Sequence, residues 1–413
     1  DEVRDLPSSA EKLTIVMPIF NAFHVLQEAL RRVALHTDVP WHLVLIEDCS
    51  TDPAVLPWLR KWVQNQQRIG QDIDLFENDQ NVGFIGSVNR GLEQAISLGS
   101  HIVLLNSDAL VPEGWATRLL APILGDKTVA SATPMSNDAE IFSVPSICNR
   151  VDLGTRQVDL IDRVASRIPI QREYPDVPTG VGFCMAINVA FLRKLPQFDT
   201  IFCKGYGEEV DWCQRVRKLG GRHVAVPNLF VEHRGGESFG TAQKQALIAT
   251  NNDLVSERHP TYDLYVQRFM CSDPLITQRM ALGIAWAAQT AAGRAVPIYV
   301  AHSLGGGADM YIESMMARDW ERFGLPSVVL RVGGSQRWQV ELVLGEQRCR
   351  GTLQEISDVR RLLLPIERRR IIYSCGVGDS DPLRLPLEIL SVKTSEADQI
   401  DVLVHDYFMV SPT

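Results

Sequence analysis

The apolar run Leu13-Thr-Ile-Val-Met-Pro-Ile-Phe20, which ends at Asn21, decides the fold of the first half of the chain. Its apolar residues are nearly continuous and do not alternate with polar ones, which is typical of a strand buried on both faces. Residues 23–35 then carry apolar side chains at helical spacing. The pattern predicts a buried strand followed by a helix, which is the repeating unit of an α/β fold.

The same unit returns further along the chain. Buried strands are predicted at 42–48, 73–78 and 101–108, and helices at 54–67 and 81–98. This alternation predicts a parallel sheet covered by helices on both faces, whose ligands bind beyond the carboxyl ends of the strands. Those ends carry Asn21, Glu47, Asp48, Asn106 and Asp108. We therefore expect three strand ends to converge on one polar crevice.

The rest of the first half is less regular. Residues 128–180 follow no clear period and are expected to form a loop that passes over the site. Further strands are predicted at 181–187, 223–227 and 230–233, and further helices at 188–194, 241–257 and 262–292.

A second α/β unit begins with a predicted strand at 296–301, which the glycine-rich stretch His302-Ser-Leu-Gly-Gly-Gly307 and a helix at 308–323 follow. More strands are predicted at 327–332, 369–375 and 400–405, with a hairpin formed by 339–344 and 348–352. A chain of 413 residues exceeds one ordinary core. We therefore predict a first domain over 1–260, a helical linker over 261–292 and a second domain over 293–413.

Composition and charge exclude several classes of function. The formal net charge is −9, whereas a nucleic-acid-binding protein is expected to be basic. The eight cysteines are scattered without a CxxC pair and are expected to be reduced, as in cytosolic proteins. No apolar run reaches the roughly 18 residues that span a bilayer, and the first residues show no signal-peptide pattern. We expect a cytoplasmic protein whose membrane association, if any, is peripheral at the inner face.

An acidic turn stands out at Gly205-Tyr-Gly-Glu-Glu-Val-Asp-Trp-Cys-Gln-Arg215. Three carboxylates, those of Glu208, Glu209 and Asp211, open a predicted helix there. Backbone N–H groups at a helix N-terminus stabilise negative charge, so the turn suits an ionised base. The alternative is an acidic first turn that only caps the helix.

Five stretches, in this order and spacing, resemble family 2 glycosyltransferases of the GT-A fold. They are 14–21 (TIVMPIFN), 47–52 (EDCSTD), 81–91 (NVGFIGSVNRG), 105–108 (LNSD) and 207–211 (GEEVD). The resemblance extends over about residues 12–240 and is strongest to bacterial rhamnosyltransferase-like members that build surface polysaccharides such as O-antigen. It implies a Rossmann-like mixed sheet covered by helices.

The resemblance also implies an activity. The enzyme would move a sugar, with inversion, from a nucleoside diphosphate donor to a polysaccharide or lipid-linked glycan acceptor. The leading donor is dTDP-L-rhamnose, and a UDP-hexose is the alternative within the same reaction. A catalytically degenerate module that only binds sugar nucleotides or acts as a scaffold is the alternative of a different class.

Ten residues of the matching motifs would contact the donor nucleotide. They are Pro18, Phe20, Asn21, Asp48, Asn81, Gly83, Asn89, Arg90, Asn106 and Ser107. Asp48 matches the residue that accepts the N3–H of a uracil or thymine ring, and a carboxylate suits that donor. Its alternative role is an N-cap for the next helix, in competition with Ser50, Thr51 and Asp52. Arg90 would pair with a phosphate or with a nearby acid.

A divalent cation is implied because the leaving diphosphate gathers negative charge. Mg²⁺ and Mn²⁺ prefer oxygen ligands. The Asp-X-Asp motif of the family is Asn106-Ser107-Asp108 in this chain, which leaves Asp108 as the carboxylate ligand. His233 matches a position where related enzymes place an imidazole on the metal, and its alternative is a histidine held by its own loop.

The base of the family is the second acid of a Glu-Asp pair at this helix start, which is Glu209 here. Asp211 is the second candidate. Two positions apart on a helix, the side chains point about 200° apart, so both cannot face one acceptor. Asp211 could instead pair with Arg215. The acceptor wall would comprise Gly182, Tyr206, Glu208 and Trp212, although Trp212 also fits a core position.

The second domain carries a weaker resemblance. The stretch His302-Ser-Leu-Gly-Gly-Gly-Ala-Asp309 and the closing Val404-His-Asp-Tyr-Phe408 resemble the N-terminal half of a family 4 GT-B glycosyltransferase. In that fold the donor is held largely by the C-terminal half. We therefore expect this second domain to be inactive by itself.

Overall fold

The computed structural model describes residues 12–169, 173–203, 205–235 and 241–404. The described residues fall into two compact units. Unit 1 contains those of Asp1–Phe142 and Pro169–Asp273, and unit 2 those of Ser143–Ile168 and Pro274–Thr413. The domain limits predicted at residues 260 and 293 stay predictions, because a compact unit need not fold independently.

Unit 1 is built on an eight-stranded sheet. Its strands are β1 (Leu13–Ile19), β2 (Trp41–Glu47), β3 (Ile73–Glu77), β4 (Ile102–Leu105), β5 (Ala109–Leu110), β6 (Val129–Ser136), β7 (Cys184–Ile187) and β8 (Arg222–His233). They are ordered β3-β2-β1-β4-β7-β6-β8-β5. The strands from β3 to β4 pair in parallel, but β7 runs antiparallel to both β4 and β6. The predicted α/β class with a mixed sheet is confirmed.

Helices cover this sheet and connect its strands. They are α1 (Phe23–His36), α2 (Val55–Arg68), α3 (Gly83–Leu98), α4 (Trp115–Gly125), α6 (Val189–Leu192), α7 (Glu208–Lys218), α8 (Thr241–Arg258) and α9 (Tyr262–Ser272). Helix α5 (Gln157–Ala165) belongs to unit 2. Two short 3-10 turns lie at Glu140–Phe142 and Thr200–Phe202. All seven residues of β1 are buried, as its continuous apolar run predicts.

Unit 2 contains a six-stranded sheet with the order β12-β11-β10-β9-β13-β14. Its strands are β9 (Val296–His302), β10 (Ser327–Val332), β11 (Trp338–Leu344), β12 (Gln347–Leu353), β13 (Arg369–Tyr373) and β14 (Gln399–Val402). Its helices are α5, α10 (Ile276–Thr290), α11 (Gly307–Phe323), α12 (Ile356–Leu362) and α13 (Leu385–Ser391). The predicted second α/β unit and its β11–β12 hairpin are present.

The resemblance of unit 2 to half of a GT-B glycosyltransferase stays a prediction. The strand expected at 400–405 is β14, which ends at Val402. From His405 onward, the closing segment lies outside the described residues. No helix within the described ranges is long and apolar enough to cross a membrane.

The loop predicted over residues 128–180 is wrong in part, because it contains β6 and α5. Strand β6 has the sequence VASATPMS, and all eight residues are buried. Small and hydroxyl side chains fill this strand, so it lacks the bulky β-branched pattern by which strands are recognised. Helix α4 was not predicted, and it contains Pro122, a residue that normally argues against a helix interior.

The two strands predicted at 223–227 and 230–233 form one strand, β8. Its pairing with β6 is irregular between Val129 and Ser131 and again at Pro134, which faces Val226 while the next residue, Met135, faces Phe230. The second irregularity takes up residues 227–229, including Pro227, which has no N–H for the ladder.

Helix α3 lies directly on β1 and β2 because Gly91 has no side chain. A Cβ at this position would collide with Val16 and Ile46, which are both fully buried. We expect Gly91→Ala to lower the free energy of unfolding by about 1–3 kcal/mol, the usual cost of overpacking a core. Urea denaturation followed by tryptophan fluorescence measures this loss.

Gly125→Ala is the matched control for that substitution. Gly125 ends α4, and a Cβ there would meet nothing within 4 Å. Its alanine variant should unfold at or above the wild-type urea midpoint, because alanine is the better helix former. Equal midpoints for both variants would contradict the close packing of α3.

Candidate active site

An open cleft lies at the carboxyl ends of β1, β2 and β4 and at the start of α3. Its empty volume, including space open to solvent, is about 560 Å³. The lining residues are Pro18, Ile19, Phe20, Asp48, Asn81, Gly83, Phe84, Ser87, Asn106, Ser107 and Asp108. The structure thus places a crevice where the strand ends predicted one. Seven of the ten predicted donor contacts, together with Asp108, line it.

Asp48 joins the end of β2 to the start of α3. Its Oδ1 accepts hydrogen bonds from the backbone N–H of Val82 and from the amide of Asn78, at 2.9 and 2.8 Å. Its Oδ2 accepts from the backbone N–H of Gly83 at 2.9 Å. Asp48 therefore satisfies N–H groups at the start of α3 and not those of α2, the helix that it or its neighbours were expected to cap. It is 3% exposed.

The Asn106-Ser107-Asp108 turn leaves the end of β4 and leads into β5. The backbone N–H of Asn106 donates to the carbonyl of Phe183, and its carbonyl accepts from Ala109. The side-chain oxygen of Asn106 is buried and has no hydrogen-bond partner among the described residues. A buried acceptor without a partner is costly. Since it borders the cleft, a bound group is the natural partner for it.

Asp108 and His233 meet at the next step of the same edge. The Nε2 atom of His233 lies 3.4 Å from Oδ1 of Asp108. The ring is held from its other side, because Nδ1 is 2.7 Å from the carbonyl of Asp138. Asn137 bonds both the N–H and the C=O of His233. Phe183 packs against the imidazole at a centroid distance of 5.0 Å. The structure shows His233 held by neighbouring residues, as its alternative role requires, and this is compatible with its predicted role as a metal ligand.

Burial by itself would lower the pKa of His233. The hydrogen bond and the negative charge of Asp108 outweigh this effect, so the pKa lies above its usual value. The carboxylate therefore favours a proton or another cation at Nε2.

The donor set fits a divalent cation. An oxygen and a nitrogen 3.4 Å apart are close enough to bind one ion at bond lengths of about 2.1 Å. The buried oxygen of Asn106 is a neutral oxygen ligand at the same turn. Among the described residues, no group of three or more His, Cys, Asp and Glu side chains forms a metal site. The protein thus offers a partial shell, as expected of an ion that also binds substrate phosphates.

The acidic turn is formed by an unusual backbone. Gly205, Tyr206 and Gly207 have φ angles of 122°, 70° and 114°, so three consecutive residues have positive φ. A side chain at Gly207 would also press on Phe202 and Val255, with contacts of 3.2 Å. Helix α7 then begins at Glu208, and its first N–H groups face the acids.

Glu208, which is buried, and Glu209, which is half-buried, form an acid pair. The Oε2 atom of each carboxyl group is buried without a hydrogen-bond partner among the described residues. Burial raises the pKa of Glu208 well above its usual range, and the charge of Glu209 adds to this rise. Burial also raises the pKa of Glu209, but the backbone N–H groups of Glu209 itself, Gly207 and Gly182 act on its carboxylate in the opposite direction. Each carboxyl group affects the pKa of the other, so the two groups are close enough to share one proton. The N–H donors favour Glu209 as the ionised member.

The acid pair borders the cleft at Phe84. A Cβ added at Gly205 would lie 3.6 Å from Oε1 of Glu208 and 3.8 Å from Cβ of Phe84, and one added at Gly182 would lie 3.9 Å from the same ring. Burial raises the pKa of Tyr206, and the charges of Glu208, Glu209 and Asp108 raise it further. Tyr206 is therefore close to both the acid pair and Asp108, which brings three of the four predicted acceptor residues to one side of the cleft.

Asp211 lies elsewhere, and its assignment as a second candidate base is not supported. It is 1% exposed, and its carboxylate meets His259, Arg258 and Arg215 at 2.9, 3.2 and 3.4 Å. The predicted pairing with Arg215 is present. Because Asp211 is about 200° around the helix from Glu209, it points into this ionic cluster and away from the acid pair.

Four other predicted contacts have structural partners away from the cleft lining. Asn21 accepts from Asp52 and Thr51 and orders the loop after β2. Asn89 exchanges two hydrogen bonds with the backbone of Phe198. Arg90 bonds the carbonyl of Glu77 and the side chain of Asn78. Trp212 is fully buried in the core.

The sequence motifs missed several residues of the site. Phe84 and Ser87 line the cleft one helical turn apart. They lie in the motif at 81–91, from which the asparagines had been predicted as donor contacts but these two residues had not. Asn78 holds Asp48, and its position just after β3 was the available signal. Asn137 and Asp138 hold His233, but they follow β6, the strand that the sequence pattern did not reveal.

The fold and the cleft define an α/β domain of the class that binds ligands at the carboxyl ends of its strands. Acidic residues lie at those strand ends. Residues 14–195 match the family model described as Glycosyl transferase family 2. Unit 1 thus contains a glycosyl transferase family 2 domain, and the prediction of a glycosyltransferase is confirmed at this level. The match spans less than half of the 413 residues and does not reach α7.

Solved structures show weaker likenesses. The mannosyltransferase PcManGT from Pyrobaculum calidifontis, described in complex with GDP-Man and Mn²⁺, is 16% identical over 76% of this chain and 82% of its own, with a TM-score of 0.46. GalNAc-T7, described with UDP, GalNAc and Mn²⁺, is 16% identical over 84% and 68%, with a TM-score of 0.47.

A third structure, TarS 1-349 from S. aureus in complex with UDP, is 14% identical over 66% of this chain and 80% of its own, with a TM-score of 0.38. No curated protein matches the chain significantly.

The buried acid pair makes the stability of unit 1 depend on pH. A carboxyl whose pKa is raised in the folded state loses stability as pH rises from the unfolded pKa through the folded one. We expect Glu208→Gln to melt higher than the wild type at pH 8 by roughly 2–4 °C, about 1 kcal/mol for a domain of this size. At pH 4 the difference should vanish, because the wild-type pair is then protonated.

Glu93→Gln on the exposed face of α3 is the control in differential scanning calorimetry at both pH values. It removes a carboxylate without burial, so its melting temperature should follow the wild type throughout. A Glu208→Gln variant that is less stable than the wild type at pH 8 would contradict the shared proton.

Proposed function

We propose that unit 1 transfers a sugar from a nucleoside diphosphate donor to an acceptor hydroxyl, with inversion at the anomeric carbon. One observation carries this proposal. The start of α3 and the Asn106–Asp108 turn line one cleft at the carboxyl edge of the sheet, His233 contacts Asp108 of this lining, and the acid pair lies near Phe84 of the same lining. Nucleotide, diphosphate and acceptor chemistry each find a suitable group there.

The donor nucleotide is assigned to the half of the cleft formed by β1, β2 and α3. Pro18, Phe20, Asp48 and Asn81 line this half. Asp48 already accepts from two N–H groups of α3. Carboxylate oxygens have further lone pairs, so a uracil or thymine N3–H can be accepted beside them. Asn21, Asn89 and Arg90 would then act indirectly, because each orders a segment next to the cleft.

The diphosphate is assigned to the Asn106–Asp108 turn. Asp108 and His233 would hold Mg²⁺ or Mn²⁺, with the side-chain oxygen of Asn106 beside them. When bound, the cation supplies positive charge to the leaving diphosphate. In family 2 enzymes the first residue of this turn is usually Asp. With Asn there, the protein contributes one negative charge fewer, so the donor phosphates must supply more of the ion's ligand charge.

Glu209 is assigned as the base. Its carboxylate takes the proton of the acceptor hydroxyl while the acceptor oxygen bonds to the anomeric carbon and the bond to the diphosphate breaks. Glu208 retains the shared proton and hydrogen-bonds the ionised Glu209. Gly182 and Tyr206 lie on the same side of the cleft and are assigned to acceptor contacts.

Among donors, dTDP-L-rhamnose is favoured by the sequence resemblance to rhamnosyltransferase-like enzymes, and UDP-hexoses come next. A growing surface polysaccharide or a glycolipid is the proposed acceptor. Asn106 in place of the usual Asp favours one other class of function, a module that binds sugar nucleotides without transfer. Unit 2 is proposed to have no transferase activity by itself.

A panel of dTDP- and UDP-sugars tests the proposal through release of the nucleoside diphosphate, with product analysis for transfer. Glu209→Gln should lower kcat about 10²–10⁴-fold, the usual contribution of a general base, and leave the donor Kd measured by calorimetry unchanged. Glu93→Gln should keep wild-type turnover, since Glu93 is on the exposed surface of α3.

Nucleotide binding by the wild type without turnover of any donor would favour the binding module. Turnover that survives in the Glu209→Gln, Asp108→Ala double variant but is lost when residues 293–413 are deleted would come from unit 2 and would overturn its proposed inactivity.

The metal assignment is tested by titration of Mn²⁺ at saturating donor. Asp108→Ala and His233→Ala should each raise the Mn²⁺ concentration for half-maximal turnover at least about tenfold, because each removes one ligand from a partial shell. Asp152→Ala, an aspartate whose side chain is 85% exposed, is the control. Wild-type Mn²⁺ dependence in both variants would contradict the assignment.

A further inference from the structure

We propose that helix α8 is a positioning element for the acid pair, and that Asn251, Arg258 and His259 fix the backbone on both sides of Glu209. This inference rests on the proposed function, because it concerns the placement of the assigned base. None of the five sequence motifs includes α8, and the family match at residues 14–195 ends before it.

The residues that contact the acidic turn lie on one face of α8 and at its end. Asn251, Val255, Arg258 and His259 are spaced at i, i+4, i+7 and i+8, so they point to the same side. Asn251, Val255 and His259 are buried, whereas the intervening Asn252 and Asp253 are exposed. The face is therefore covered by the segment that leads into α7.

Asn251 holds the segment before the acid pair. Its Nδ2 donates to the carbonyls of Phe202 and Gly205, at 3.1 and 2.8 Å, and the residue is 4% exposed. Residues 205–207 have positive φ and lie outside any helix or strand. Buried carbonyls in such a segment need side-chain donors, and one amide supplies two of them.

Arg258 and His259 hold the segment on both sides. Arg258 bonds Asp199 at 2.9 Å and Asp211 at 3.2 Å, while Nε2 of His259 lies 2.9 Å from the same Asp211 oxygen. Asp199 precedes the acid pair and Asp211 follows it. Charged hydrogen bonds of this kind are strong and directional. Loss of one partner would leave the buried Asp211 carboxylate incompletely compensated.

Val255 completes the contact between these polar groups. A Cβ added at Gly207 would lie 3.2 Å from the side chain of Val255, so the acidic turn lies directly on α8. Glu209 is thus enclosed between three anchored positions at 205, 207 and 211. A carboxylate that must meet an acceptor oxygen depends on such anchoring, since a displacement of about 1 Å can cost about 10²-fold in rate.

Paired variants separate positioning from stability. Asn251→Ala and His259→Phe should lower kcat about 10–100-fold with little change in the donor KM. His259→Gln keeps an N–H donor for Asp211 and should recover most of the lost kcat. Asn252→Ala, on the exposed face of the same helix, should retain the wild-type kcat. Melting temperatures identify any variant that has simply lost its fold.

Hydrogen exchange provides a readout that does not need turnover. Amides 205–211 should exchange faster in Asn251→Ala and His259→Phe than in the wild type, and at the wild-type rate in Asn252→Ala. If the wild type transfers no sugar, the proposed function fails while exchange still tests the anchoring. Unchanged exchange, or equal kcat losses in His259→Gln and His259→Phe, would overturn the role of α8.

Discussion

Unit 1 depends on keeping two adjacent carboxyl groups, Glu208 and Glu209, away from water. An unpaired buried carboxylate is very costly, and here two of them meet at one helix start. Three features lower this cost: the two carboxyl groups are close enough to share a proton, the backbone N–H groups of Gly207, Glu209 and Gly182 act on Glu209, and the N-terminal end of α7 favours negative charge. The backbone that makes this arrangement possible requires glycine at 205 and 207. If Glu209 is the base, as we propose, its burial lowers the stability of the fold.

On the opposite side of the cleft, each carboxylate also has neighbouring groups that compensate its charge. The Asp48 carboxylate accepts hydrogen bonds from the first N–H groups of α3, which fixes the helix start at the cleft. The carboxylate of Asp108 contacts His233, and the backbone carbonyl of Asp138 orients that histidine. Each acid at the cleft therefore has a neighbour suited to its role: N–H donors for Asp48, an imidazole for Asp108, and a second carboxyl for Glu209. The strand ends place these groups, and their immediate partners distinguish them chemically.

Much of this arrangement follows from sequence, and the exceptions have physical causes. Apolar strands that end in Asp48 and Asp108 predicted the crevice, because parallel strands present their carboxyl ends together. Asn81 and Asn89 lie in one motif, so the sequence predicted the same role for both. In the structure Asn81 lines the cleft, whereas Asn89 bonds the backbone of Phe198. Helical geometry showed that Glu209 and Asp211 point apart, but only the position of α8, distant in sequence, shows which of them is enclosed by cations. Strand β6 was not predicted, because its small side chains pack in a sheet without the periodic pattern of bulky residues by which strands are recognised.

The replacement of the usual first aspartate by Asn106 now has a consistent physical account. The side-chain oxygen at this position is buried without a partner, so a carboxylate there would be an uncompensated charge until a cation arrived. It would also add negative charge to a region where Asp108 already raises the pKa of Tyr206. An amide avoids both costs while still offering a neutral oxygen to an ion. In the proposed function, an ion would therefore gain less from the protein alone and more from the donor diphosphate. Cation and donor binding would then be linked, and each would strengthen the other by the same factor.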